Sequence, residues 1–388
     1  MTDTKVKEMC TSRNISITNN NGKLKYMNIE FLRIIAILAI LMLHIFHSGM
    51  GLHRLGFDVH LYDKLYKMTG NGQKGVEFFF ILAGLFFYLG MAKDSALSLY
   101  DFIRKKIIRM WPVMAWAVLL AFILSLFGVL KFYYWDNIYA LLFLNGTALQ
   151  GAYGNISPSW YCSVMLFHFV LFFYLYKNMP EKWFWFVVCI GIYISYGIIL
   201  QAKGYKINNP FQSFGYIFNV SMLRAWGGIG IGMLLGLWHK NCAEKIAAYQ
   251  LNIGQKILLS AMEFVLLYFM INNLMLHKFQ HHNQFMFIIV FTALIGCFLM
   301  NKGYISALFN REIFPKMSKY IYSIFITHQV VIGLLRRNLW KPHHDLVENY
   351  PVINMVGTFL AIIIVGVLTY YLVEKPAAKY LRKKWFGK

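Results

Sequence analysis

Charged residues are scarce in this chain, and acidic residues are the scarcest. Only 14% of its 388 residues are charged, and 16 acidic residues stand against 38 Lys and Arg residues. Soluble globular proteins carry about 25% charged residues, whereas 59% of this chain is hydrophobic. The composition therefore argues against an ordinary soluble domain and favours a protein that exposes much of its surface to lipid.

Cysteine is also rare, with five residues spread along the chain and no close pair among them. Such an odd and scattered set argues against a disulfide framework and against a cysteine-based metal centre. The neighbouring histidines His281–His282 and His343–His344 fit no zinc spacing, and no group of carboxylates accompanies them. We therefore expect no bound metal.

Apolar runs of about 16–22 residues recur along the whole chain, which is typical of a polytopic helical membrane protein. The sequence predicts an all-α fold with ten membrane-spanning helices. The spans are placed near residues 31–47, 75–91, 111–130, 160–176, 183–200, 219–238, 256–275, 284–300, 318–335 and 352–373. The segment 131–159 holds a further apolar stretch that is too short to span, which suggests a re-entrant or interfacial piece on the outer side.

The excess of positive charge follows this topology. With the N-terminus in the cytoplasm, most Lys and Arg residues outside the spans fall in cytoplasmic segments, as the positive-inside rule requires. Both termini are therefore expected in the cytoplasm, and no nucleic-acid partner is needed to explain the net charge of +22. The chain divides into a polar tail over 1–27, a membrane domain over 28–380 and a basic tail over 381–388, which would anchor on anionic lipid.

The first predicted span carries two ionisable residues, Arg33 and His44, with only apolar residues between them. Ionisable groups at membrane depth are costly and are usually functional. At about 1.5 Å per residue, the two lie roughly 16 Å apart along the helix axis. Arg33 would lie near the cytoplasmic face and His44 deep in the bilayer. This suits an enzyme that takes a polar cofactor from one side and carries out proton chemistry near the middle.

His44 is a candidate general base, because the unperturbed pKa of histidine, about 6.5, suits proton transfer near neutral pH. Glu77 is predicted at the outer end of the antiparallel second span, where its carboxylate could meet the His44 ring and fix its tautomer. The alternatives are a packing hydrogen bond for His44 and a helix-dipole interaction for Glu77. Arg224, near the outer end of the sixth span, could pair with Glu77 or hold an anionic acceptor group.

Two further residues have open interpretations. His328 is predicted near mid-membrane in the ninth span, either as a buried neutral histidine held by Thr327 or Ser323 or as a residue of the site. Trp160, at the start of the fourth span, is either an aromatic-belt residue or a platform that stacks on a sugar ring.

Taken in order, the motifs of the chain resemble acyltransferase family 3, the integral membrane O-acyltransferases. The spacing R-x10-H from Arg33 to His44 is similar to the first span of that family. Five later segments continue the resemblance: GVEFFFILAG (75–84), KKIIRMWP (105–112), SPSWYCSVMLF (157–167), YIYSIFITHQ (320–329) and YYLVEKPAAKY (370–380). Any one of them is weak, but six in the right order over residues 28–380 are specific.

The resemblance implies transfer of an acyl group, commonly acetyl, from cytoplasmic acetyl-CoA to a hydroxyl of an extracytoplasmic glycan or lipid-linked saccharide. It implies a multi-pass protein of the bacterial cytoplasmic membrane. His44 would act as general base or as a transient acyl carrier, supported by Glu77, and His328 would bind or position the acceptor. Arg224 and Trp160 are the candidate residues for acceptor binding.

The resemblance also implies a donor site at the cytoplasmic end. Arg33, Lys105, Lys106 and Arg109 would contact the phosphates of coenzyme A, since Arg and Lys are natural phosphate partners. A basic cluster on this side is also what the positive-inside rule demands, and Arg33 could be an arginine that extends its head group towards the membrane surface.

Three positions depart from the family pattern. Glu77 replaces the usual Asp and keeps the carboxylate, Ala83 replaces the usual Ser, and Met165 stands where many members carry a Glu. The third departure suggests a branch with a different acceptor site, and no acid is assigned there.

Two other functions stay open. A transporter or flippase for a polysaccharide or small molecule could use the buried His and Arg residues as a proton relay, although no internal repeat of the kind common in transporters is evident. The second open function is that of a non-catalytic exporter or sensor descended from the enzyme, and the retention of Arg33 and His44 counts against it. Consumption of acyl-CoA would separate an enzyme from a transporter that responds to an ion gradient.

Overall fold

A computed structural model describes residues 26–46, 70–93, 96–147, 154–203, 213–214, 218–275, 286–343, 345 and 349–387. Within these ranges the chain is helical, apart from one antiparallel pair of two-residue strands, β1 (Ser213–Phe214) and β2 (Phe218–Asn219). The predicted all-α polytopic class is confirmed. The tail over 1–25 and the histidines His281, His282 and His344 lie outside the described residues.

The helices follow the order of the apolar runs. They are α1 (Met27–His44), α2 (Gly75–Lys93), α3 (Leu99–Leu126), α4 (Tyr134–Leu141), α5 (Ser159–Asn178), α6 (Glu181–Lys203), α7 (Val220–Ala248), α8 (Ile253–Met275), α9 (Met286–Met300), α10 (Tyr304–Leu308), α11 (Ile313–Ser318), α12 (Ile321–Leu335), α13 (Pro351–Thr369) and α14 (Lys375–Phe386). Short turns of other helical types occur at Gly72–Lys74, Arg336–Trp340 and Tyr370–Glu374.

Eight helical segments of the described chain are long and apolar enough to cross a membrane. The eighth of them joins α13 to α14 over Val352–Phe386 and runs through the predicted domain boundary at residue 380. The eighth and ninth predicted spans are present as α9 and α12, but each α-helix has 15 residues, fewer than the 20 or so that a span needs. By length and apolar composition, eight of the ten predicted spans therefore qualify.

The third helix begins earlier than predicted. Its first residue is Leu99, with the Ser98 hydroxyl accepting a hydrogen bond from the Asp101 backbone N–H at 3.1 Å, whereas the apolar run starts at residue 111. Lys and Arg are good helix formers, and a helix can extend beyond the hydrocarbon core with its charged heads in the interface. The basic cluster is therefore part of α3 itself.

Helices α2 and α7 form the closest contact in the bundle. A Cβ added at Gly84 of α2 would overlap the backbone of Ile229, and one added at Gly232 of α7 would overlap the carbonyl oxygen of Ile81. Small residues at such crossings let membrane helices approach closely. This contact brings together the starts of α2 and α7, where Glu77 and Arg224 lie.

The segment between α3 and α5 folds against the starts of α5 and α7. After the eight-residue helix α4, Asn145 donates to the Ser159 hydroxyl at 2.7 Å, and Asn219 donates to the carbonyl of Thr147 at 2.5 Å. Ser221 donates to the carbonyl of Gly146, whose φ of 73° is in the left-handed region that favours glycine. These bonds fix the start of α5 next to α7.

Candidate active site

A cavity of about 510 Å³ lies between α1, α2, α3, α5 and α12. Its polar lining is concentrated in Glu30 and Arg33 of α1 and in Lys106 and Arg109 of α3. Most of the other lining side chains are apolar, and they come from all five helices. The structure therefore brings three of the four predicted donor-binding cations into one cavity with largely apolar walls.

The three cations differ in how they are compensated. Arg33 forms an ion pair with Glu30 one turn earlier on α1, at 2.5 Å. Lys106 lies over the ring of Phe169, with Nζ 4.2 Å from the ring centroid. Neither Lys106 nor Arg109 forms an ion pair within the described chain. Two positive charges in the cavity are thus available to an anionic ligand.

Lys105 is separated from this group. Its side chain is exposed and does not line the cavity, although it neighbours Lys106 in sequence. Adjacent residues on an α-helix point about 100° apart, which allows Lys106 to line the cavity while Lys105 does not.

A pair of histidines lies beyond the apolar end of the cavity. The rings of His44 on α1 and His328 on α12 have centroids 5.0 Å apart. The side-chain amide nitrogen of Gln329 lies 2.8 Å from Nδ1 of His44. Nδ1 of His328 donates to the carbonyl of Phe325 at 2.7 Å, and its Nε2 has no hydrogen-bond partner among the described residues. The structure therefore places His328 beside His44, and a role for His328 in the site stays a prediction.

The two histidines differ in accessibility. His328 is fully buried, whereas His44 is only partly buried. Because a carbonyl oxygen can only accept, the proton of a neutral His328 ring lies on Nδ1, and Nε2 carries a lone pair. The arrangement provides one ring that a ligand can reach and a second ring, with a bare nitrogen, beside it.

The cavity leads towards this pair. Ile40 and Phe325 line the cavity, and they precede His44 and His328 by four and three residues. The Phe325 ring has its centroid 6.0 Å from that of His328. One helical turn, about 5.4 Å, thus separates the cavity lining from the histidines.

Glu77 contacts Arg224, whereas a contact with His44 was the other possibility that the sequence offered. Both carboxylate oxygens accept hydrogen bonds from the Arg224 guanidinium, Oε1 from Nε at 2.5 Å and Oε2 from Nη2 at 2.6 Å. The two side chains are 0% and 3% exposed. Among the described residues, the polar contact of Glu77 is with Arg224, so the alternative in which these two residues pair is the correct one. A full positive charge compensates a buried carboxylate more strongly than a neutral imidazole does.

Trp160 covers this ion pair. Its ring lies 5.4 Å from the Arg224 guanidinium, and the residue is 8% exposed. In this structure Trp160 is neither a lipid-facing belt residue nor an open stacking platform. It shields Arg224 and adds a cation–π contact to the pair.

Two of the three departures from the family pattern lie in the cavity wall. Ala83 of α2 and Met165 of α5 both line it. The wall is therefore more apolar than the Ser and Glu of the usual pattern would make it. Gln329 and Glu30 were not identified from the sequence.

A family model described as an acyltransferase domain matches residues 27–372 of the chain. The match contains the cavity, the histidine pair and the buried ion pair. No curated protein and no solved structure matches the chain significantly.

Proposed function

The chain belongs to the acyltransferase family whose model covers residues 27–372, and from this premise we propose that it transfers an acyl group from acyl-CoA to a hydroxyl group. The observation that carries the proposal is the cavity itself. Cations lie at one end of it, its walls are apolar, and a histidine pair lies one helical turn beyond the other end.

The cationic end suits the phosphates of the donor. Lys106 and Arg109 carry no ion pair within the described chain, and phosphate oxygens would compensate their charge. Arg33 would contribute once a phosphate competes with Glu30. The thioester arm of the donor is long and thin, and it would extend along the apolar cavity towards His44.

The histidine pair would supply the base. An imidazole takes the proton of the acceptor hydroxyl while the hydroxyl oxygen attacks the thioester carbonyl carbon. The carbon–sulfur bond then breaks, and the departing thiolate takes up the proton to leave free coenzyme A. His44 is the ring that substrate would reach, because it keeps accessible surface, and His328 would support it from the interior.

We further propose acetyl as the acyl group and an extracytoplasmic glycan or lipid-linked saccharide as the acceptor, in the bacterial cytoplasmic membrane. The positive-inside topology puts His44 in the outer half of α1 and Arg33 in the inner half, which supports a donor from the cytoplasm and an acceptor from the other side. The membrane domain would then carry an acyl group across the bilayer while it reacts.

The test is transfer of label from radiolabelled acetyl-CoA in membranes that contain the protein, followed into glycan and lipid fractions. Wild type and Lys379→Ala, a change at an exposed residue of α14, should both label the acceptor. His44→Ala should abolish labelling. Labelling that survives His44→Ala would remove this histidine from the mechanism, and no labelling by folded wild type would contradict the acetyl-CoA donor.

A further inference from the structure

A cluster of positive charge lies at the end of α12, outside the proposed site. Arg336, Arg337 and Lys341 fall within six residues and are all exposed. None of the three forms an ion pair within the part of the chain that the structure describes. In the sequence of this loop, the three cations stand against two acidic residues, Asp345 and Glu348, so a net positive charge of one remains.

The cluster is held in a defined conformation. Arg336–Trp340 forms a π-helical turn that continues α12, closed by a hydrogen bond from the backbone N–H of Lys341 to the carbonyl of Arg336 at 3.1 Å. Asn338 donates to the carbonyl of Val129, just after α3, at 2.9 Å, and Trp340 is buried. Turns of this type are rare and are often found at functional sites.

One residue of the cluster is also aligned with the histidine pair. Arg336 follows Gln329 by seven residues, which is about two turns of the α-helix that ends at Leu335. Residues at this spacing share one face of a helix, so Arg336 lies on the face of Gln329 and roughly 10 Å further along the axis. Because Gln329 contacts His44, Arg336 lies about two helical turns from the histidine pair.

Topology alone does not account for these charges. The loop that begins at Arg336 is predicted on the outer side of the membrane, where the positive-inside rule disfavours Lys and Arg. The presence of cations without ion pairs on the outer side therefore needs another explanation. Binding of an anionic molecule that approaches the histidine pair from outside is one.

We propose that Arg336, Arg337 and Lys341 form a binding site for a polyanionic glycan, whose carboxylate or phosphate groups they recognise, and that this glycan is the acyl acceptor. Arg guanidinium groups suit these anions because their donors match the geometry of carboxylate and phosphate oxygens. The inference rests on the proposed acyl transfer and narrows its acceptor from glycans in general to anionic ones.

The test measures binding and needs no acyl transfer, so its failure is distinct from failure of the proposed function. The full-length protein is placed in phosphatidylcholine nanodiscs, and polygalacturonate is the anionic probe, with neutral dextran as its control. Amide hydrogen exchange reports where the polymer binds. We expect polygalacturonate, but not dextran, to slow exchange over residues 336–343.

A matched pair of triple variants completes the design. Arg336→Gln/Arg337→Gln/Lys341→Gln should weaken polygalacturonate binding at least tenfold. Lys379→Gln/Arg382→Gln/Lys383→Gln, which removes equal charge from the exposed helix α14, should leave the protection at 336–343 unchanged. Unchanged affinity in the first variant, or protection over residues 375–387 alone, would overturn the proposal. Protection of 336–343 by phosphatidylglycerol nanodiscs without polymer would overturn it in favour of a lipid headgroup.

Discussion

The amide nitrogen of Gln329 lies 2.8 Å from Nδ1 of His44, which is 285 residues away in sequence. A glutamine amide has both donors and an acceptor, so by rotating it can hold either tautomer of the ring. This suits a histidine that gains and loses a proton during turnover. The contact makes Gln329 a candidate positioning residue for His44.

The first prediction tests this contact. Gln329→Leu removes the hydrogen bond and should lower kcat for acyl transfer about tenfold or more, with little change in the KM for the donor, because the ring loses its orientation. Gln329→Glu should retain most of the activity, since a carboxylate accepts from Nδ1–H and so favours the tautomer in which Nε2 is the basic nitrogen. Steady-state kinetics over a range of pH measures both. Equal activity in wild type and Gln329→Leu would contradict the positioning role.

The second prediction compares two neighbouring lysines. Lys106 lines the cavity and Lys105 is exposed outside it, although they carry the same charge. Lys106→Met should raise the KM for acyl-CoA about tenfold, which corresponds to about 1.4 kcal/mol of binding free energy. Lys105→Met should change it less than twofold, since an exposed charge is screened by salt. Similar KM values for the two variants would mean that the cluster acts through its overall charge and not through the cavity.

These residues also show which parts of the candidate site could be predicted from the sequence. Arg33, His44 and Lys106 stand out because they are charged or titratable in apolar surroundings, and that property is local. The partner of Glu77 is not local, because Arg224 lies 147 residues away and only the close crossing of α2 and α7 joins them. Gln329 carries no charge, so nothing in its local sequence separates it from an ordinary polar residue in a helix.

The prediction of helix boundaries from the sequence was limited in the same way. Apolar runs locate the spans, but they do not locate helix ends that continue with charged residues, as at the start of α3. The short helices α9 and α12 begin two and three residues later than the predicted spans and end at the predicted residues. Hydropathy measures the preference for lipid, whereas the hydrogen-bonded backbone decides where a helix ends.

The third prediction concerns the buried ion pair. Glu77→Gln leaves the Arg224 guanidinium buried without a compensating charge, which should lower the free energy of unfolding by about 3–5 kcal/mol. The double variant Glu77→Met/Arg224→Met should recover much of this loss, because removing both charges also removes their desolvation cost. Unfolding of the purified protein in detergent measures the effect.

An exposed pair is the control for this experiment. Lys316 of α11 and Glu312, just before this helix, lie 3.7 Å apart with side chains 68% and 63% exposed. Exposed pairs contribute about 0–1 kcal/mol, so Glu312→Gln should leave unfolding nearly unchanged. If Glu77→Gln were as mild as Glu312→Gln, the pair would not be a stabilising element of the α2–α7 contact.

The last prediction addresses the contact between α2 and α7 directly. Gly232 touches the backbone of α2 so closely that a methyl group would overlap the carbonyl oxygen of Ile81, and a backbone atom cannot move aside as a flexible side chain can. Gly232→Ala should therefore push the two helices apart, destabilise the protein and loosen the Glu77–Arg224 pair, with loss of activity as well as stability. Gly90→Ala is the matched change on α2, because no atom lies within 4 Å of a Cβ added there. It should be tolerated without loss, since alanine favours helix more than glycine does. Thermal unfolding and acyl transfer are measured on both variants. If Gly232→Ala is as stable and as active as Gly90→Ala, the bundle can accommodate the added methyl group, and the close crossing does not hold the ion pair in place.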